Sequence, residues 1–117
     1  MLKKKKDNVA NIPADGFEII GIISNETKTK VGKDFYDLYF YLYNEYKINA
    51  KKIVVLTEEF SFGRNTKIVI TIENDIIYEF LARPDEEYLN EMGEQAIYAT
   101  YLHLKNLEKQ NKYFTQY

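Results

Sequence analysis

Between Lys67 and Glu73 an isoleucine stands at every second position, Ile68, Ile70 and Ile72, set against Lys67, Thr71 and Glu73. A pleated strand sends successive side chains to opposite faces, so this spacing predicts a strand with one face turned to a core. Such a face has to be covered by helices or by a second sheet. The preceding segment, Lys52 to Phe62, also reads as a strand, and Gly63 and Asn65 within Ser61-Phe62-Gly63-Arg64-Asn65-Thr66 tolerate the positive φ of a reversal. The two strands therefore form a hairpin. After Asn74-Asp75 a third strand follows, Ile76 to Ala82. A plain two-residue loop there would bring Glu79 onto the face of Ile70, where an unpaired carboxylate is costly. A three-residue loop or a bulge instead puts Tyr78 and Phe80 with the isoleucines and turns Glu79 away, so a bulged turn is expected.

The cover is helical. Thr29 can cap a helix over Lys30 to Lys47, in which Phe35, Leu38, Leu42 and Tyr46 recur at three- and four-residue steps. Tyr36, Phe40 and Tyr43 make a second stripe beside the first, either core of a thick sandwich or surface left for another subunit. Pro84 ends the third strand, and Asp85, Glu86 and Glu87 suit the positive end of a second helix dipole. Leu89, Met92, Ala96, Leu104 and Leu107 mark its inner face to about Asn111, with Lys105, Lys109 and Lys112 toward its negative end. Gly93, unfavourable in mid-helix, predicts a close passage of a strand or of the first helix. Upstream, Phe17 to Ile23 is apolar and β-branched, a strand with Gly21 at a bulge or close approach. These elements predict an α+β fold, an antiparallel three- to four-stranded sheet packed against two helices in the order β-α-β-β-β-α. With 117 residues, 45% of them hydrophobic, one domain over 17–112 is expected, after a flexible lysine-rich leader, 1–16, and before a short tail, 113–117. The Lys3 to Lys6 run reads as a solvated tail or a contact for an acidic partner or anionic lipid; without interleaved aromatics it is a poor nucleic-acid platform.

Chemistry is sparse. Cysteine is absent and His103 is the single histidine, so thiolate chemistry and nitrogen- or sulfur-based metal sites are excluded, and no calcium-loop pattern appears. His103 falls at the edge of the inner face of the second helix and reads as structural. Glu58-Glu59 point to opposite faces of a strand, and Asp85-Glu86-Glu87 serve a helix start, so neither group reads as an acid–base pair. No phosphate-binding loop or nucleophile–histidine arrangement is present, and no cofactor is implied. Eleven tyrosines and seven phenylalanines without a tryptophan favour a protein whose surface meets other proteins, because tyrosine gives contact area while tolerating water at its tip. No apolar stretch approaches the roughly 20 residues of a membrane span. Met1 to Asn11 lacks the apolar segment of a signal peptide, so export would require a signal already removed.

Two stretches carry a resemblance. Val31-Gly32-Lys33-Asp34-Phe35-Tyr36 resembles the aliphatic-Gly-x-Asp-Phe-Tyr opening of the first helix in the CsgE family, the curli assembly and transport component. Ile68-Val69-Ile70-Thr71-Ile72, followed by Asn74, Asp75, Ile77, Phe80-Leu81 and Pro84, is similar to that family's hairpin and its exit into the last helix. The resemblance runs from about Glu18 to Asn111. It implies a periplasmic, non-enzymatic secretion adaptor that binds unfolded curli subunits, targets them to the outer-membrane channel CsgG and caps that channel as a homo-oligomeric, nonameric ring, with no membrane insertion of its own. The loop Phe60 to Lys67 departs from the better-known members, which carry tryptophans where this chain has Phe60, Phe62 and Arg64.

A ring needs two different patches on each subunit. Phe60, Phe62 and Arg64, at a turn that a core cannot easily cover, are expected to form one, and the outer face of the last helix, with Tyr98 and Tyr101, the other. Two alternatives stand beside this reading. One is a monomeric cystatin-like peptide-binding or inhibitor module. The other is a small enzyme or ligand carrier with a cavity between helix and sheet, in which His103 or Glu79 acts as base.

Overall fold

The computed structural model describes residues 22–48, 51–61 and 63–114. The elements follow as β1 (Ile22–Glu26), α1 (Lys30–Glu45), β2 (Ile53–Phe60), β3 (Thr66–Ile72), β4 (Asp75–Leu81) and α2 (Glu86–Phe114), the order expected. The strands form one sheet in the order β1-β2-β3-β4. The sheet is mixed, and this corrects the antiparallel expectation: β1 runs parallel to β2, with Ile22 beside Ile53 and Glu26 beside Thr57. The intervening helix makes this possible, since a crossover long enough to hold a helix returns the chain to the same end of the sheet, whereas a tight hairpin reverses it. β1 also continues to Glu26, beyond the expected Ile23; Phe17 to Gly21, the leader, Phe62 and residues 115–117 lie outside the described residues.

The turn after β3 is built as the cost of burying Glu79 requires. Glu73 and Asn74 form a two-residue connection, both with positive φ (52° and 72°), the backbone of a tight hairpin. Ile72 pairs with Asp75 and Thr71 with Ile76, but Ile70 pairs with Tyr78, so Ile77 is an inserted residue. Were Ile77 paired with Ile70 in regular register, Ile68 would oppose Glu79; because Ile77 bulges out, Ile68 opposes Phe80, and Glu79 shares the other face with Val69.

Both helices cover one face of the sheet. Phe35, Tyr39 and Leu42 of α1 and Leu89, Ala96 and Ile97 of α2 pack on Val54, Leu56, Ile68, Ile70, Ile72 and Phe80 in one cluster. The Phe35 and Phe80 rings meet at 4.7 Å between centroids. Tyr39, which belongs to neither of the two stripes read from the sequence, is fully buried, and its hydroxyl shares a 2.7 Å hydrogen bond with Thr100 Oγ1. Desolvation pushes that phenol well above its ordinary pKa. Tyr46, expected on the inner face, is instead exposed, because α1 ends at Glu45 and Tyr46 is its cap. Gly93 sits where the helices approach, and a β-carbon there would come within 2.9 Å of Leu38 Cδ2. The opposite face of the sheet carries exposed Ile53, Ile76 and Leu81 and a line of ions, with Lys67 Nζ 3.9 Å from Glu59 and 3.4 Å from Glu79.

Candidate interaction site

Alternation along β2 turns Val54, Leu56 and Glu58 inward together, which places a carboxylate at the core's edge, 2% exposed. Its partners lie far away in sequence. Glu58 Oε1 accepts from the backbone N–H groups of Lys28 (2.6 Å) and Thr29 (2.8 Å). Glu58 Oε2 accepts from the hydroxyls of Thr29 and Thr66, both at 2.6 Å. Thr29 Oγ1 in turn accepts from Gly32 N at 3.1 Å, capping α1. Burial alone would push the Glu58 carboxyl up, but these four hydrogen bonds outweigh it and hold the pKa below the usual carboxylate range. Gly32 is the residue that allows the approach, because a β-carbon at that position would collide with Glu58 Oε1. The Gly of the Val31–Tyr36 motif therefore makes room for a buried anion, and its Phe35 enters the core.

The clasp joins β2, β3 and the start of α1 at one end of the molecule, and it leads directly to the β2–β3 loop. Phe60 continues the inward row of β2 past the edge of the core and is 73% exposed. Lys28 Nζ lies 5.7 Å from the centroid of its ring. Ser61 N donates to Asn65 O at 2.9 Å, and Gly63 takes a φ of 64°. Arg64 is exposed in the same turn. Close to this end a hollow of about 550 Å³ opens between the starts of α1 and α2, where Lys30, Asp34, Leu38, Asp85, Glu86 and Leu89 lie.

The other end is basic. α1 finishes with a left-handed residue, Lys47, at φ 54°. Lys47 N donates to Asn44 O (3.0 Å) and Ile48 N to Tyr43 O (3.2 Å), a Schellman arrangement that glycine usually serves. Beside it a groove of about 420 Å³ runs between the end of α1 and the second half of α2, bounded by Tyr46, Lys47, Lys51, Lys52, Tyr101 and Lys105 among others. Tyr46 Oη donates to Glu94 at 2.7 Å, and that hydrogen bond to a carboxylate raises the phenol's pKa. Lys105 Nζ stands 5.7 Å from the Tyr101 ring.

The fold thus brings Phe60 and Arg64 together at one end and sets Tyr101, 46% exposed, in the groove at the other; Tyr98, 62% exposed, lies one turn earlier on α2. Phe62 falls outside the described residues. Glu79 is on the outer face of the sheet and paired with Lys67, so it does not face the interior between helices and sheet, and the reading that gave it a role as base there is corrected. His103 is half-buried on α2, with Nε2 enclosed and without a hydrogen-bond partner among the described residues. The space between helices and sheet is filled by Phe35, Tyr39 and Phe80. Among the described residues no three histidine, cysteine, aspartate or glutamate side chains converge as metal ligands. Two features escaped the sequence reading, the Glu58 clasp and the lysine groove. A glutamate in step with Val54 and Leu56, and three lysines within Lys47–Lys52, were the available signals.

A family model described as curli assembly protein CsgE matches residues 19–116, which takes in every described element. No curated protein matches the chain.

Proposed function

The chain belongs to the CsgE family of curli assembly proteins, and from that membership we propose that it is the adaptor of curli secretion: it binds unfolded curli subunits in the periplasm, brings them to the CsgG channel of the outer membrane and caps that channel as a ring of identical subunits. The observation that carries the ring is Phe60. A phenylalanine three-quarters exposed at the tip of a hairpin loses more by staying in water than by meeting a neighbour. Lys28 stands over its ring and Arg64 is exposed in the same loop, and arginine and aromatic residues are both enriched at interface centres. The second patch, on Tyr98 and Tyr101, lies elsewhere on the subunit, as a head-to-tail contact requires.

A capped chamber moves its client without fuel. A disordered chain held inside loses conformational entropy, and passage outward through the channel restores it. The adaptor has to release what it holds, which suits exposed tyrosines whose hydroxyls keep water more than it suits a dry apolar groove. No helix among the described residues is long and apolar enough to cross a membrane. The test is co-precipitation of the purified protein with the matching curli subunit, kept unfolded, and with the channel; binding of neither refutes the adaptor reading. For the ring, Phe60→Ser is expected to give a subunit with an unchanged circular dichroism spectrum and the mass of a monomer. Rings of unaltered mass would remove Phe60 from the contact.

A further inference from the structure

The groove at the end of α1 is lined by apolar and cationic side chains together. Buried Ile48 and half-buried Leu104 and Leu107 supply the apolar part. Lys47, Lys51, Lys52 and Lys105 supply the charge, against one acid, Glu108. Two of these cations are already engaged, since Lys52 Nζ lies 2.7 Å from Glu73 and Lys105 Nζ stands 3.9 Å from Glu108. Lys47 and Lys51 are exposed and make no ion pair among the described residues.

Lys47 is the less expected of the two. It holds the left-handed position that closes α1, at φ 54°, where glycine carries no steric penalty and a residue with a β-carbon does. A cation there complements the negative end of the α1 dipole. That accounts for part of its presence, but not for Lys51, which lies beyond the helix. The helix end is also less hostile to an anion than a bare one. The carbonyls of Leu42, Tyr43 and Asn44 already accept the N–H groups of Tyr46, Ile48 and Lys47.

We infer that this groove binds an acidic segment of an extended polypeptide, a carboxylate of the segment pairing with Lys47 and Lys51 while an apolar side chain beside it covers Ile48, Leu104 and Leu107. The identity of the partner, an unfolded client, rests on the adaptor reading above. The size of the groove, about 420 Å³, admits a few side chains of an extended chain and no folded domain. The apolar lining gives nothing to a free phosphate. An anionic lipid surface would meet this whole end of the molecule, where exposed Glu45, Glu73, Glu94 and Glu108 offset the lysines. A single carboxylate seated in the groove meets the two unpaired cations at close range instead. Exposed ion pairs are weak, so the hold is modest and salt-dependent, as suits a partner that has to be released.

The probe is a short synthetic peptide in which aspartates alternate with leucine and tyrosine, beside a twin with asparagines in place of the aspartates. Each is titrated into the full chain and followed by fluorescence anisotropy and amide chemical shifts. The acidic peptide should bind about tenfold more tightly than its twin, shift the signals of Lys47, Lys51 and Leu104, and weaken as salt rises from about 50 to 500 mM. Lys47→Gly with Lys51→Gln removes both cations while keeping the turn. It should weaken binding about tenfold with an unchanged circular dichroism spectrum, whereas Lys28→Gln, at the opposite end, should leave binding as it is. Equal binding of the two peptides, or binding undiminished in the double variant, overturns the inference. Displacement of the peptide by equimolar inorganic phosphate, or by phosphatidylglycerol vesicles, identifies a simple anion or a lipid surface as the ligand and overturns it too. Co-precipitation with the unfolded curli subunit separates this inference from the adaptor reading. Capture by the wild type and equally by the double variant refutes the groove as the client's site and leaves the adaptor standing. Peptide binding by a wild type that captures neither subunit nor channel supports the acidic-segment site and refutes the adaptor.

Discussion

Glu58 is the side chain whose loss the fold should feel most. Replacing it with alanine removes the acceptor of two backbone N–H groups and two hydroxyls at a site closed to water. Hydrogen bonds to a charged acceptor contribute roughly 1.5–3 kcal/mol each before the cost of burying the ion is set against them. Its removal strands neutral donors rather than a charge, at about 1–3 kcal/mol for each donor left unsatisfied and roughly 3–5 kcal/mol in all once the relieved cost of burying the ion is set against them. Against a total stability of roughly 5–10 kcal/mol for a domain of this size, that is near half. At about 4–8 °C per kcal/mol, the melting temperature should drop by roughly 12–40 °C. Glu58→Gln keeps a carbonyl for the two N–H groups but loses the charge, and should cost about 1–2 kcal/mol. The two variants also separate charge from shape through pH. The folded pKa of Glu58 lies below its ordinary value of 4.5, so its stabilisation is fully present above that value and is lost as pH falls through the folded pKa. Glutamine does not titrate. The stability gap between wild type and Glu58→Gln should therefore be constant from pH 7 down to about 4.5 and narrow as the pH falls below that value, measured by urea denaturation followed by circular dichroism. A gap that stays constant below that pH, or a Glu58→Ala protein melting within about 3 °C of wild type, would refute the assignment of this carboxylate as an ionised clasp.

Deleting Ile77 closes the bulge of β4 but leaves Tyr78 opposite Ile70 and Glu79 opposite Val69 on the outer face, so the chain should keep a cooperative melting transition by circular dichroism; its loss would refute the reading of Ile77 as the inserted residue. In the core, Tyr39→Phe should lower stability by about 1 kcal/mol, because Thr100 Oγ1 still donates to Ala96 O, whereas Thr100→Val strands the buried Tyr39 hydroxyl and should cost roughly 1–3 kcal/mol in the same denaturation assay.

Much of the fold could be read locally because its determinants are local. The alternation of Ile68, Ile70 and Ile72 fixes β3, and the cost of burying Glu79 forces a bulge whose position, Ile77, only the register reveals. Gly93 signalled the close passage of α1 by its low helix propensity. What was not legible depends on distant partners. Nothing in Ile22–Glu26 says that it pairs in parallel with β2, since pairing direction follows from the path of α1 over the sheet. Tyr39 was hidden because α1 has aromatic residues around most of its circumference, and a stripe cannot be told from its neighbours when both are apolar. Glu58 was read only as half of an acidic pair. The groups that justify its burial, Lys28, Thr29 and Thr66, come from two other segments, and its room comes from Gly32. For the candidate site, Phe60, Tyr98 and Tyr101 are exposed, and the lysine groove needed the end of α1 to be set beside α2.

Lys67 and the two glutamates on either side of it, Glu59 and Glu79, bar the open flank of the sheet from one common fate of bare β-structure. Laminating that flank onto another sheet would strip water from three ions at once, with only long, loose pairings to offset the loss. That cost opposes growth by layering on this flank, even with Ile53, Ile76 and Leu81 exposed beside the ions.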